Sequence, residues 1–170
     1  LIVHWPNKIN EPRVESEPLH IMDIPATSID AAGANYPNEF NGNKIKPLEG
    51  ESFLKLLKTS QWKREKPMYW EHEGNQGIRK GEWKLVREYG KGWELYNIIE
   101  DRTELNDLSS NEKDIVKEMS KEWENWAKVS NVLPWPVDPN VVAKRLKGDH
   151  SHIHQHRGPK ASDLKMGKGK

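Results

Sequence analysis

Cysteine is absent from the 170 residues, which excludes disulfides, thiolate metal ligands and a cysteine nucleophile while leaving the compartment open. No stretch comes near the roughly 18 to 20 consecutive apolar residues that a bilayer-crossing helix needs, so no membrane-spanning segment is expected. Phenylalanine is scarce, with two residues against eight tryptophans. Tryptophan joins a large apolar body to one N–H that wants a partner, so this balance suits a small core that meets water on several sides. Net charge is also small, 27 basic residues against 26 acidic ones. The basic excess sits at one end, where residues 139–170 hold eight Lys or Arg and two acids. No aromatic other than histidine follows Trp135, so this tail lacks the stacking rings of a nucleic-acid surface and reads as solvated.

The chain opens with Leu1-Ile2-Val3-His4-Trp5-Pro6, an apolar run of the kind that forms an inner strand of a parallel sheet. Neither Met nor the charged and apolar regions of a signal peptide open it, and the expectation is a piece of a larger protein or a chain matured by cleavage. Ile21, Ile24, Ile29 and Ala32 then recur near helical spacing, with Asp23 as N-cap, Pro25 in the first turn and Gly33 as the stop. Residues 34–50, with Asn41-Gly42, read as loop, and residues 52–58 as a short helix presenting Phe53, Leu54, Leu56 and Leu57. From Pro67 the period becomes that of strands: 68–73, 76–80, 82–88 and 93–98, punctuated by Gly74-Asn75, Gly81 and Gly90-Lys91-Gly92. This is an antiparallel meander. A helix from an N-cap near Ser109 or Ser110 to Val129 carries Ile115, Met119, Trp123 and Trp126 in one stripe, which is read as core packed on the sheet. Pro134 and Pro136 end the ordered region.

Catalytic motifs are few: the sequence has no Gly-x-Gly-x-x-Gly, Walker loop, His-Glu-x-x-His or Gly-x-Ser-x-Gly. The densest polar group is Glu71-His72-Glu73-Gly74-Asn75, followed by Arg79. Strand alternation sets Glu71 and Glu73 on one face and His72 on the other, an arrangement open to acid/base chemistry, though spacing alone favours a turn of solvated charges. A second cluster, His150, His152, His154 and His156, reads as a flexible tail able to pick up a transition metal adventitiously.

Residues 70–79 (Trp-Glu-His-Glu-Gly-Asn-Gln-Gly-Ile-Arg), 81–86 (Gly-Glu-Trp-Lys-Leu-Val), Trp93-Glu94-Leu95-Tyr96-Asn97 and residues 101–108 (Asp-Arg-Thr-Glu-Leu-Asn-Asp-Leu) resemble the carboxy-terminal portion of an arylsulfatase of the formylglycine-dependent family. The opening, residues 20–27 and Ala31-Ala32-Gly33-Ala34 resemble the last strand and helix of that family's large α/β domain, and residues 47–52 the lead into its small domain. The resemblance runs from residue 1 to about 136. It implies an α+β fold in which a four-stranded antiparallel meander packs on one long C-terminal helix, preceded by a remnant strand and helix of the large domain. The divisions are residues 1–46 for that remnant and linker, 47–136 for the small domain and 137–170 for the tail.

For the whole enzyme the resemblance implies sulfate-ester hydrolysis by a hydrated formylglycine, made in a Cys/Ser-x-Pro-Ser-Arg motif, with calcium and cationic side chains on the sulfate oxygens. No such motif occurs in these residues, so this chain by itself is expected to bind neither cofactor and to show no turnover. Its expected contribution is the rim of the substrate cleft, through His72, Glu73, Asn75 and Arg79, with Arg79 equally a candidate for an ion pair between domains. His4 and His20 are read as structural. Export to the periplasm or exterior is implied by the resemblance only. Two other readings stand beside this one: a sugar-binding module stacking Trp62, Trp70 or Trp93 on a pyranose, and an interaction domain that self-associates through an exposed former interface.

Overall fold

The computed structural model describes residues 1–9 and 11–140, and the histidine cluster at 150–156 lies outside them. The chain divides into two compact units that meet at Arg64 and Glu65, so residues 47–64 cluster with the first unit.

The first unit is built on two short helices, α1 (Asp23–Ala31) and α2 (Leu54–Thr59). The end of α1 is fixed by a Schellman closure, because Gly33 takes φ +64° and the amides of Gly33 and Ala34 return to the carbonyls of Asp30 and Ile29. Its start departs from the expectation. Asp23 is the first helical residue, and its carboxylate reaches back to the His20 amide instead of forward to the next turn. Buried Thr27 ties the helices together, donating to the Asp23 carbonyl at 2.8 Å and accepting the Phe53 amide at 3.0 Å. Phe53, Leu54, Leu56 and Ala26 are the buried apolar residues of this unit. Gly50 is required by close approach, since a Cβ there would lie 2.0 Å from the Met22 carbonyl oxygen. Asn41-Gly42 centres a two-residue hairpin between β1 (Glu39–Phe40) and β2 (Asn43–Lys44), with φ of 50° and 76° as a type I′ turn demands.

The strand expected over Leu1 to Trp5 does not form. Residues 1–4 are exposed, Ile2 to 95%, and β1 and β2 are the only strands among the described residues of this unit. A strand needs a neighbour to take its backbone hydrogen bonds, and among the described residues none adjoins this segment. His4, expected beside a buried segment, is accordingly exposed.

The second unit is an α+β layer pair. Strands β3 (Met68–His72), β4 (Asn75–Lys80), β5 (Trp83–Arg87) and β6 (Glu94–Asn97) form an antiparallel sheet in sequence order. Helix α3 (Lys113–Val129) covers one face. Register lines up Tyr69, Ile78, Leu85 and Leu95 across all four strands, and the last three have no exposed surface. They pack on Met119, Trp123 and Ala127 of the helix. Trp93 and Trp126 sit where the core meets water, around buried Trp123: Tyr69 stacks on Trp126 at 5.0 Å, Trp93 meets Trp123 edge-on at 6.2 Å, and the Trp123 indole N–H donates to the Trp70 carbonyl at 3.0 Å. Lys80 adds ion pairs to Glu118 and Glu122, one helical turn apart on α3.

Helix α3 starts later than the serines suggest. Ser109 is bound to the Asp107 carboxylate through both its amide and its hydroxyl, and the Leu108 carbonyl accepts the amides of Asn111 and Glu112 before the helix begins. The same Asp107 accepts the Leu95 amide, while the Leu108 amide donates to the Leu95 carbonyl, so residues 107–108 cover the open edge of β6. At its far end α3 closes with a second Schellman motif, in which Asn131 takes φ +55° and the Val132 amide bonds the Ala127 carbonyl.

Candidate functional site

The β3–β4 hairpin carries all four residues expected at the substrate, three of them at its tip. Its turn is centred on Glu73-Gly74, both at positive φ (51° and 82°), which gives the type I′ geometry of a two-residue connection. This corrects the turn expected at Gly74-Asn75: Asn75 is the first residue of β4, paired with His72. It also corrects the pairing of Glu71 with Glu73 on one strand face. Glu73 stands at the apex, outside the alternation, whereas Glu71 lies on the side of the sheet that α3 covers and accepts the Gly74 amide at 2.8 Å.

His72, Glu73 and Asn75 are exposed and adjacent. Asn75 is committed to the fold, donating from Nδ2 to the His72 carbonyl and accepting the Tyr89 amide on Oδ1. His72 and Glu73 carry the exposed side chains of the tip. Arg79 shares the face of His72 and Asn75, the face away from α3, but four residues at about 3.3 Å each set it some 13 Å along the strand. The hairpin tip therefore joins His72, Glu73 and Asn75 and leaves Arg79 apart, further along β4. Arg79 takes part in none of the ion pairs found among the described residues. Its Nε is buried without an acceptor there, a cost of about 1–3 kcal/mol that an anionic oxygen would recover.

Of the three tryptophans considered for sugar stacking, Trp70 is exposed, at 40%. Trp93 is covered by the Arg87 guanidinium at 4.6 Å from its ring, and Trp62 is half-buried with Arg64 at 6.0 Å. Among the described residues no three His, Asp or Glu side chains are grouped to hold a metal ion.

Two polar features were not anticipated from the residues. Asp23, with no exposed surface, is paired with Arg64, and Arg64 also reaches Glu51 at 3.3 Å. Burial pushes the Asp23 carboxyl up, but the Arg64 guanidinium and the amides of His20 and Glu51 outweigh it and hold it below the usual carboxylate range. The second feature is a buried amide oxygen, Oε1 of Gln76, that has no partner among the described residues. The signal available for its surroundings is the alternation Trp83, Leu85, Arg87, which sets a cation on the otherwise apolar face of β5 beside it.

A four-stranded antiparallel sheet backed by one helix, with a type I′ hairpin carrying His72 and Glu73, follows a unit of two helices. Comparison with known proteins assigns this arrangement to the C-terminal region of sulfatases. The chain belongs to the N-sulphoglucosamine sulphohydrolase C-terminal family, whose model matches residues 1–129. An uncharacterized sulfatase of Schizosaccharomyces pombe is 26% identical over 149 residues, covering 81% of this chain and 26% of that protein. An N-acetylglucosamine-6-O-sulfatase of Bacteroides thetaiotaomicron is 27% identical over 114 residues, 64% of this chain and 20% of that protein. The crystal structure of Ps i-CgsB in complex with k-i-k-neocarrahexaose superposes with a TM-score of 0.64 at 25% identity, covering 85% of this chain and 32% of that one. The chain thus spans between a fifth and a third of the length of the proteins it matches.

Proposed function

We propose that this chain serves a formylglycine-dependent, calcium-assisted sulfuric ester hydrolase of the arylsulfatase type, in which it forms the rim of the substrate cleft. The observation that carries this reading is the family match over residues 1–129 together with the tip that exposes His72 and Glu73. In the complete enzyme the aldehyde hydrate supplies the nucleophile and calcium the Lewis acid, and no step of that chemistry is assigned to the described residues. What these residues do is bind and orient. His72 and Glu73 meet polar groups of the substrate, Asn75 holds the turn that aims them, and the orphaned Nε–H of Arg79 takes an anionic oxygen, either of substrate or of a neighbouring carboxylate. The N-acetylglucosamine-6-O-sulfatase among the relatives favours a sulfated sugar as that substrate. The domain division proposed is residues 1–46 for the end of the large domain and 47–136 for the small one, with residues 47–64 as a connector whose α2 stays packed on α1.

The test uses the complete enzyme containing this chain. His72→Ala and Glu73→Gln are expected to raise KM for a sulfated sugar by about tenfold, with a smaller change in kcat and an unchanged melting temperature, because lost uniform binding appears in KM. KM values within twofold of wild type in both variants overturn the rim assignment. The 170-residue chain alone is expected to release no sulfate from nitrophenyl sulfate, and release by the purified chain overturns the division of labour.

A further inference from the structure

A cavity of about 370 Å³ opens in the second unit, between the β3–β4 hairpin, the end of β5 with its following loop, and the chain that leaves α3. Glu71, Gln76, Arg87, Tyr89, Lys91 and Trp135 line it. Its size falls in the range of small-ligand sites. Gln76 and Arg87 are cross-strand partners, on the sheet face opposite His72, Asn75 and Arg79.

Each lining group has a distinct demand. Oε1 of Gln76 is buried without a donor among the described residues. Turning the amide over would set its NH₂ there without an acceptor, so in either orientation the position asks for a group that can both donate and accept, which is what a hydroxyl does. Arg87 sits over the Trp93 ring, 4.6 Å from its centroid, and joins none of the ion pairs among the described residues. Its guanidinium therefore has donors left for an anionic oxygen. The other charges are already engaged, Glu71 with the Gly74 amide and Lys91 with Glu88 at 2.6 Å. Tyr89 and Trp135 are 53% and 38% exposed and border the opening as the C–H face of a pyranose would require. They are held in place by contact with the hairpin, since a Cβ on Gly74 would lie 2.7 Å from Tyr89 and 2.9 Å from Trp135.

We propose that this cavity is a binding subsite for an anionic pyranoside. A sugar hydroxyl pairs with Gln76, the ring stacks on Trp135 or Tyr89, and the anionic substituent meets Arg87. The choice of sulfate over carboxylate as that substituent rests on the sulfatase reading; the demand for hydroxyl, ring and anion does not.

The test is an NMR titration of the full 170-residue chain with methyl glucoside 6-sulfate, unsulfated methyl glucoside and inorganic sulfate as separate probes. The sulfated glycoside is expected to saturate and to shift the Gln76 side-chain amide and the backbone amides of Gly74 and Lys91. The unsulfated sugar is expected to bind at least tenfold more weakly. Gln76→Glu, nearly isosteric, sets a carboxylate against the anion and beside its cross-strand partner Arg87, and is expected to weaken the sulfated glycoside about tenfold, roughly one repulsive contact's worth, with backbone amides away from the cavity unshifted. Arg87→Gln is expected to abolish the preference for the sulfated probe. Absence of saturation, shifts confined to other residues, inorganic sulfate binding as tightly as its glycoside, or an unaltered affinity in Gln76→Glu would each overturn the subsite. If the complete enzyme hydrolyses sulfate esters while the titration fails, the subsite alone falls; if the titration succeeds and no sulfate ester is hydrolysed, the sulfatase reading alone falls.

Discussion

Asp23 and Arg64 lie forty-one positions apart and share a site from which water is largely excluded, with no exposed surface on the Asp23 side chain and 5% on that of Arg64. Removing one member of a buried pair leaves the other charge uncompensated, which costs more than the pair itself contributes. Asp23→Asn is therefore expected to destabilise the first unit by about 3–5 kcal/mol, the range for breaking such a pair, read from the midpoint of urea unfolding. The pH dependence has a definite sign. The carboxyl is held down in the folded state, so its contribution is complete above the usual carboxylate range and is lost as pH falls through the lower folded value. The gap between wild type and variant should close in acid, and a gap that stays constant would show that Asp23 acts through packing alone. None of this was legible from the residues, because Asp23 fits the position of a helix cap and no periodicity links it to Arg64. The hairpin tip was legible in composition but not in geometry. His72, Glu73 and Asn75 do converge, yet alternation mistook Glu73 for a strand residue because an Asn after glycine imitates a turn centre.

Elements were legible where period and partner agree. Four strands with one apolar face and a helix with a matching stripe specify each other, and the Tyr69–Ile78–Leu85–Leu95 row meets Met119 and Trp123 as the stripe predicts. Leu85 is central to that row and has no exposed surface. Leu85→Ala is expected to cost about 3 kcal/mol, the middle of the range for truncating a buried leucine, and to lower the melting temperature of the second unit. A loss below about 1 kcal/mol would mean that the sheet and α3 collapse into the space. Where one condition was missing, the reading failed. Leu1 to Trp5 has the composition of a buried strand but, among the described residues, no strand beside it. The β1–β2 hairpin has a neighbour and the Asn-Gly turn but no apolar face, because Glu39, Phe40, Asn43 and Lys44 are all exposed. Turn chemistry alone specifies it, and without an apolar period it resembles a loop.

At the scale of the whole molecule, acid and alkali act through different groups. On the acid side the carboxyls of Asp23 and Asp107 are held down in spite of burial, the first by Arg64 and backbone amides, the second by the amides of Leu95 and Ser109. Both units thus lose stability as the medium falls below the usual carboxylate range. On the alkaline side the shifted phenols belong to the second unit. Burial pushes Tyr69 up to about 12, with Glu122 adding to the shift, and burial pushes Tyr96 up to about 12, with its bond to Glu94 adding. A phenol that keeps its proton in the folded state and loses it in the unfolded one favours unfolding as pH rises, so stability is expected to fall between about pH 10, the ordinary phenol value, and the folded values near 12. Lys80, held protonated by Glu118 and Glu122, loses its ion pairs in the same direction. Tyr69→Phe retains the stack on Trp126 while removing the ionisable group. Urea midpoints measured at steps from pH 8 to pH 12 should therefore fall less steeply in Tyr69→Phe, and less steeply again in Tyr69→Phe with Tyr96→Phe, leaving the share that belongs to Lys80 and Lys91. An alkaline slope identical in the double variant and wild type would assign the whole loss to the lysines and their glutamate partners, and would show that neither phenol is kept from water in the folded state.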